Sequence, residues 1–501
     1  MLFNSYPFLF CFLPLLLLLW RVVGSTAGGG CLAFVLLAFS LVFYGLSGAP
    51  FLLLLLTLVA VNYAFGQVLA EQDEVFASRR RRLSRRNLFA LALTVNILPL
   101  LWFKYSGFLA QNLSLLFGGD LRFIPPGLPL GISFYTFIQV AWLLGVYKRR
   151  FTPEGFFRHA LFSSCFPYVI SGPIVRYEQI GSQFDSLTLP DAESTAKGLS
   201  LFSIGLAKKV LLADSLAVYA NAVFNAAESH FPLSGGEAWL GSLCYTFQLY
   251  FDFSGYTDMA LGIGMMLGLR LPENFDSPYK STGIVDFWRR WHITLGAWLR
   301  DCLYIPFGGN RAGRLKQYRN LFLTMFIGGI WHGAGWTFVI WGALHGLMLC
   351  VNHFFKSKIK GSPAERALSS LPCRIFFILL TFVCINACWV VFRSLTVHGA
   401  MSMYAAMLHG PFAVSGAEGC LAALLPNNYF LGWQPFALLA LSFVLVWAFP
   451  NSRELLRGRA DGSSPWLRWS PSALWAGGLA ALVFVCLILA SRKSTFLYFQ
   501  F

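Results

Sequence analysis

The sequence predicts an all-α, polytopic integral membrane protein, and three observations carry that expectation. Hydrophobic residues make up 57% of the 501 residues and charged residues only 12%, where a soluble domain carries about 25% charged. Mean hydropathy is +0.62. The apolar residues gather in long runs, and a membrane span needs roughly 20 of them. Ordinary soluble domains are excluded, and so is disorder, which needs low hydrophobicity. The length accommodates about ten to twelve spans. Lipid offers the backbone no partner, so apolar runs are read as helices that satisfy themselves.

Taken in order, the candidate spans are 5–21, 30–47, 49–67, 88–105, 127–147, 197–225, 237–268, 320–355, 374–394, 431–449 and 472–490. The first is apolar from Pro7 to Trp20 with no basic residue before it. A signal peptide needs a positive n-region, so a retained span is expected. The run 237–268 is long for one crossing and holds polar residues, which predicts a tilted or broken helix. The run 320–355 is too long for one span and carries glycines in its middle, which predicts two helices. Residues 156–180 are apolar but interrupted by Pro167, Gly172 and Pro173, and residues 284–308 are aromatic and basic together. Irregular backbone at membrane depth is tolerated only inside protein or beside a water-filled cavity, so these segments predict a chamber rather than a simple bundle. No internal repeat is visible, which weighs against an inverted-repeat transporter.

The balance of 38 basic to 22 acidic residues gives a net charge of +16. No nucleic-acid motif accompanies it, and the positive-inside rule accounts for it. Residues 79–86 hold six arginines. Further clusters are Lys148 to Arg150, then Lys356, Lys358 and Lys360, then Arg453, Arg457 and Arg459. All four fall on one side if the N-terminus lies outside and 320–355 enters and returns, which also places the C-terminus outside. Eleven cysteines are scattered, mostly in apolar runs. Cys384 and Cys388 share a helix face, but two thiols do not make a zinc site, and no disulfide framework is implied.

Polar residues inside spans are costly and usually functional. The sharpest case is His332, flanked by Trp331 and Gly333 in the motif IWHGAGW. A histidine shielded from bulk water can stay neutral and act as a base. A hydrogen-bonded core histidine is the plainer reading. His345 lies thirteen residues on, roughly 220° around a continuous helix. The two histidines share a face only if the helix breaks near Gly333 to Gly335. A second focus is FWRRWH, in which His292 follows Arg289 and Arg290. It reads as an interfacial amphipathic helix or as the mouth of a cavity whose arginines attract an anionic donor. A third is FQLYFDFSGYTD, where Asp252 and Asp258 sit on different faces of an apolar run and each needs a partner. The final residues FLYFQF carry Tyr498, either an interface anchor or a phenol that a nearby base activates. There is no GxSxG, Walker or HExxH motif, and no histidine spacing suits a metal. The residues favour a metal-free, histidine-dependent membrane site.

The chain resembles the membrane-bound O-acyltransferase family, in its branch of alginate O-acetylases and D-alanyl transfer proteins. The similarity runs through SFYTF, SGPIVRY, FDFSGYTDMALGIGMMLG, PENFDSPY, FWRRWHITLGAWLRDCLYIPFGGNR and GGIWHGAGWTFVIWGALHG, and covers most of 1–355. It implies one membrane domain over 1–501: N-terminal spans to 150, a catalytic core over 151–355, further spans to 490 and an extracytoplasmic aromatic tail over 491–501. It implies a ring of helices around a funnel-shaped catalytic tunnel with re-entrant segments. It maps the family's two signature positions onto His332 and His292, and a proposed acyl-carrying tyrosine onto Tyr498. His345, Asp252, Asp258, Arg289, Arg290 and Trp331 are the expected supporting residues. The implied activity is O-acetylation of an exported polysaccharide such as alginate, in the bacterial inner membrane. The implied donor is acetyl-CoA or another acyl thioester, with no tightly bound cofactor. Membrane lipid and a periplasmic acetyltransferase are the implied partners, and nucleic acid is not. Other envelope acceptors (peptidoglycan, cellulose, lipopolysaccharide, teichoic acid) and a non-catalytic transporter of lipid or glycan are the alternatives.

Overall fold

The computed structural model describes residues 1–71, 84–118, 123, 127–229, 231–311, 313–410, 432–458, 462–463, 465–490 and 497. Residues 79–82, Arg459 and Tyr498, singled out above, lie outside the described residues. Among the described residues every regular element is helical, and the single β-type pairing is the isolated bridge Phe275–Trp291. Phe8–Thr26, Ala49–Glu71, Arg85–Phe117, Trp336–Ile359 and Leu371–Arg393 are long and apolar enough to cross a membrane. Gly29–Gly45, Ile132–Tyr147, Gln434–Trp447 and Ala473–Leu489 are shorter apolar helices. The protein is a multi-pass membrane protein.

Two of the apolar runs gain detail. The run 197–225 is helical throughout, as Ala192–Ala207, a π-helical turn Lys208–Ala213 and Asp214–Glu228. Of the two forms expected for 237–268, tilted or broken, the break is absent: Gly235–Met266 is one helix of 32 residues. At about 1.5 Å per residue it is roughly 48 Å long, well beyond a hydrocarbon core of about 30 Å. Its polar side chains find partners instead of interrupting the helix. Thr246 Oγ1 donates to Asn386 Oδ1 at 2.7 Å, and Asp252 pairs with Lys209 at 2.6 Å.

The chain forms two compact units. The first comprises Met1–Ser203 and Tyr256–Glu273. Inside it Asn62, Asn96 and Gln139 are fully buried. Asn62 and Asn96 exchange amide hydrogen bonds at 3.0 and 2.6 Å, and Asn62 also donates to Gln139. Such amide contacts hold helices 49–71, 85–117 and 132–147 together where no water competes. Phe3, Phe8, Phe12, Phe43 and Phe166 pack with ring centroids 5.0–6.5 Å apart.

The second unit comprises Ile204–Gly255 and Asn274–Phe501. Its centre is the hairpin of Arg314–His332 and Trp336–Ile359. Backbones approach closely there because the facing residues lack side chains. A β-carbon on Gly342 would stand 2.7 Å from the Met325 carbonyl oxygen and 2.9 Å from Gly329 Cα. One on Gly329 would stand 2.5 Å from the Phe338 carbonyl oxygen. Helix Leu371–Arg393 closes against the hairpin, and Asn386 ties it to Thr246 and, through its Nδ2, to Ser242 at 3.2 Å.

Gly342→Val would force the hairpin apart, a cost of about 1–3 kcal/mol on overpacking grounds. We expect a lower midpoint for heat-induced loss of the monodisperse peak in detergent. Gly477→Ala, at a position with open space around it, should leave that midpoint in place. Equal midpoints for G342V and the parent would show that the close approach is not required.

Candidate active site

Helix Arg314–His332 ends on His332, and the next helix starts at Trp336. Gly333 and Gly335 between them are extended, with φ of −163° and −166°. Any residue can adopt that backbone, so the need for glycine at 333 is steric: a β-carbon there would run into the Phe338 ring. The break does what a continuous helix could not. It folds the chain back so that His332 and His345 both reach Trp341, with ring centroids at 4.9 and 4.5 Å. Trp331 lies 4.7 Å and Phe392 5.2 Å from the His332 ring. All of these side chains are buried.

His345 has a defined tautomer. The Trp288 indole N–H donates to its Nδ1 at 3.2 Å. An indole only donates, so Nδ1 accepts and the ring proton sits on Nε2. That Nε2–H is buried with no acceptor among the described residues, and the Trp341 indole N–H is in the same position. Two buried donors beside His332 make a place suited to an oxygen that carries or gains negative charge.

His292 is built differently. It sits between helices Ile284–Arg290 and Ile293–Leu299 in left-handed backbone, φ 44° and ψ 55°. That conformation costs a non-glycine residue of order 1–3 kcal/mol. The flanking strand-like contacts hold it: Ile293 N–H donates to the Asn274 carbonyl at 3.0 Å, and Asp276 N–H to the Arg290 carbonyl at 3.0 Å. The ring stands edge-on to Phe253 at 4.7 Å. Its Nδ1 is 3.3 Å from Asn274 Oδ1, which also accepts from Thr294 Oγ1 at 2.6 Å. An Nδ1–H donated to that oxygen would fix the ring's tautomer. Trp291, next to His292, packs on Trp389 at 5.1 Å, and Trp389 packs on Phe392 at 5.4 Å and Trp341 at 5.9 Å. One aromatic cluster in the second unit therefore carries both histidines.

The expected supporting residues divide. Trp331 and His345 stand at the cluster. Arg289 is exposed, whereas Arg290 pairs with Asp286 at 3.0 Å and donates to the Asp276 carbonyl. Arg290 thus braces the backbone that strains His292. Asp252 lies in the second unit and Asp258 in the first, where it is buried. Among the described residues no group of three histidine, cysteine, aspartate or glutamate side chains could hold a metal ion. An apolar cavity of about 720 Å³ lies elsewhere in the second unit, bounded by Leu211, Phe251, Leu441, Leu445 and Leu479.

Four contributors were missed in the sequence. Trp341 stands at i−4 from His345, the same helix face, and that spacing was a usable signal. Lys209 is a lysine inside an apolar run, which should have been read as a partner for an intramembrane carboxylate. Trp288 and Asn274 act through tertiary contacts that no local pattern marks.

Comparison with known proteins places the chain in a family. The profile of the MBOAT, membrane-bound O-acyltransferase family matches residues 36–408. The peptidoglycan O-acetyltransferase of Helicobacter pylori is 35% identical over 100% of this chain and 98% of its own length. The probable alginate O-acetylase AlgI of Pseudomonas putida is 37% identical over 100% of both chains. The teichoic acid D-alanyltransferase of Bacillus subtilis is 32% identical over 51% of this chain and 66% of its own. On these grounds the chain belongs to the membrane-bound O-acyltransferase family and is an acyltransferase enzyme.

Proposed function

We propose that this enzyme moves an acetyl group from a cytosolic thioester, acetyl-CoA in the first instance, across the bacterial inner membrane for O-acetylation of an exported polysaccharide. The observation that carries the reading is His332, buried at a helix break beside Trp341 and His345 in a member of an O-acyltransferase family. Alginate is the first acceptor to test. Peptidoglycan is the second, because a relative aligned over the whole chain is a peptidoglycan O-acetyltransferase. The enzyme is taken as a ring of helices around a tunnel, with both termini extracytoplasmic and a periplasmic acetyltransferase as partner. The basic clusters support that orientation.

In the reaction, His332 removes the proton of an acceptor hydroxyl as its oxygen attacks the thioester carbonyl. The carbon–sulfur bond breaks, and the departing thiolate takes the proton from His332. The products are an ester and a free thiol. His345 Nε2–H and Trp341 Nε1–H hold the carbonyl oxygen while it carries negative charge. His292, aligned by Asn274, orients the donor. In the relay form the first acceptor is the Tyr498 hydroxyl, and the partner's acceptor then takes the acetyl group and restores the phenol. No carrier needs flipping, because donor and acceptor meet within one protein. A transporter reading finds no use for paired intramembrane histidines.

In a deletion strain complemented with H332A, ester-linked acetate on the target glycan should be lost while the protein remains in the membrane fraction. Normal acetate content would contradict the mechanism. Assaying alginate and peptidoglycan separately in the deletion strain identifies the acceptor. Tyr498→Phe should reduce glycan acetylation to the H332A level, and full acetylation would remove the relay but not the enzyme. Trp288→Phe keeps the ring but frees His345 Nδ1. Turnover should fall about tenfold, the worth of one hydrogen bond of about 1.4 kcal/mol, and parental turnover would remove the His345 tautomer from the account.

A further inference from the structure

The π-helical turn Lys208–Ala213 ends on Asp214, whose N–H bonds the Lys209 carbonyl. Its wider winding puts Lys209 and Asp214 on one face although they are five residues apart. Lys209 Nζ lies 2.9 Å from Asp214 Oδ1 and 2.6 Å from Asp252 Oδ1. Lys209 and Asp252 are almost wholly buried, with side chains 4% and 2% exposed. A lysine between two carboxylates leaves acceptor capacity over. Asp252 uses it on the chain's own tail: its Oδ2 accepts the Leu497 backbone N–H at 3.0 Å. The Leu497 side chain is buried in the same apolar cluster as Leu212, Tyr250 and Phe251.

We propose that Lys209, Asp214 and Asp252 form a docking site for the C-terminal tail, in which Asp252 clamps the Leu497 amide, one residue before Tyr498 in the sequence. The inference rests on Tyr498 as acyl carrier, and Asp252 is a positioning residue rather than a catalytic one. Each part of the geometry suits that work. A carboxylate that accepts a backbone N–H fixes a position along the chain and not a side-chain identity. The apolar socket for the Leu497 side chain supplies a second point of attachment at the same residue. Lys209, 2.6 Å from Asp252 Oδ1, holds the carboxylate in place. The clamp is a single hydrogen bond and so is reversible.

The test uses the full-length enzyme in lipid nanodiscs with labelled acetyl-CoA. Hydrogen exchange at the Leu497 amide and the yield of acetyl ester on the tail are read by mass spectrometry. Asp252→Ala should speed exchange at Leu497 about tenfold while amides of Trp336–Ile359 keep their protection. Leu497→Pro removes both the N–H donor and the apolar anchor without touching the buried ion group, so it tests attachment at Leu497 even where D252A folds poorly. Both should cut tail ester about tenfold through kcat, with KM for acetyl-CoA unchanged. Asp252→Asn, which keeps an oxygen acceptor, should fall between D252A and the parent. Parental exchange at Leu497 in D252A, or parental tail ester in L497P, would overturn the clamp. Full glycan acetylation in Y498F would instead sink the relay, and the exchange result would still read the clamp on its own.

Discussion

The approach of Gly329 to Gly342 sets the distances in the candidate active site. With no side chains between them, helices Arg314–His332 and Trp336–Ile359 lie backbone to backbone. Trp341, beside Gly342, is thereby pushed between His332 at the end of one helix and His345 along the other. The rest builds outward from that contact. Trp288 hydrogen-bonds His345, and Trp389 and Phe392 from helix Leu371–Arg393 close the aromatic wall. Trp291 then joins the wall to the strained backbone at His292.

Both units hold buried polar groups by hydrogen bonds between helices. In the first, Asn62, Asn96 and Gln139 bond one another, which serves cohesion, while Gln139 Nε2 stays without an acceptor among the described residues. In the second, polar groups are held but not saturated. His345 and Trp341 keep buried N–H groups without acceptors among the described residues, and Asp252 spends its second oxygen on the tail backbone. Unspent donors in a dry place are a cost to stability of about 1–3 kcal/mol each. A site that must greet a carbonyl oxygen recovers that cost when the substrate arrives.

Much of this was legible in the sequence, for physical reasons. The shortage of charge gives membrane residence, and the glycines after His332 give the helix break. His332 stands out because ionisable residues in apolar runs are rare, whereas His292, in an aromatic and basic segment, is singled out by the family resemblance. The failures are as instructive. Polar residues in 237–268 suggested a tilted or broken helix; the break is absent because Thr246 and Asp252 have partners on other segments, and a paired polar group needs no interruption of the backbone. Lys209 went unread because its meaning lies in Asp252, more than forty residues away. Trp288 likewise gains its role only from a contact 57 residues along the chain. The +16 charge contributes little to the site: Arg290 braces a turn, and Arg289 is exposed.

The central claim is that acyl chemistry takes place at the cluster of His332, Trp341 and His345. The most direct measurement is an experimental structure of the enzyme with a non-hydrolysable thioether analogue of acetyl-CoA. The account predicts the acyl carbonyl oxygen within hydrogen-bond reach, about 3 Å, of His345 Nε2 or Trp341 Nε1, with His332 beside the carbonyl carbon. An acyl group seated instead in the apolar cavity between Phe251, Leu441 and Leu479 would contradict it.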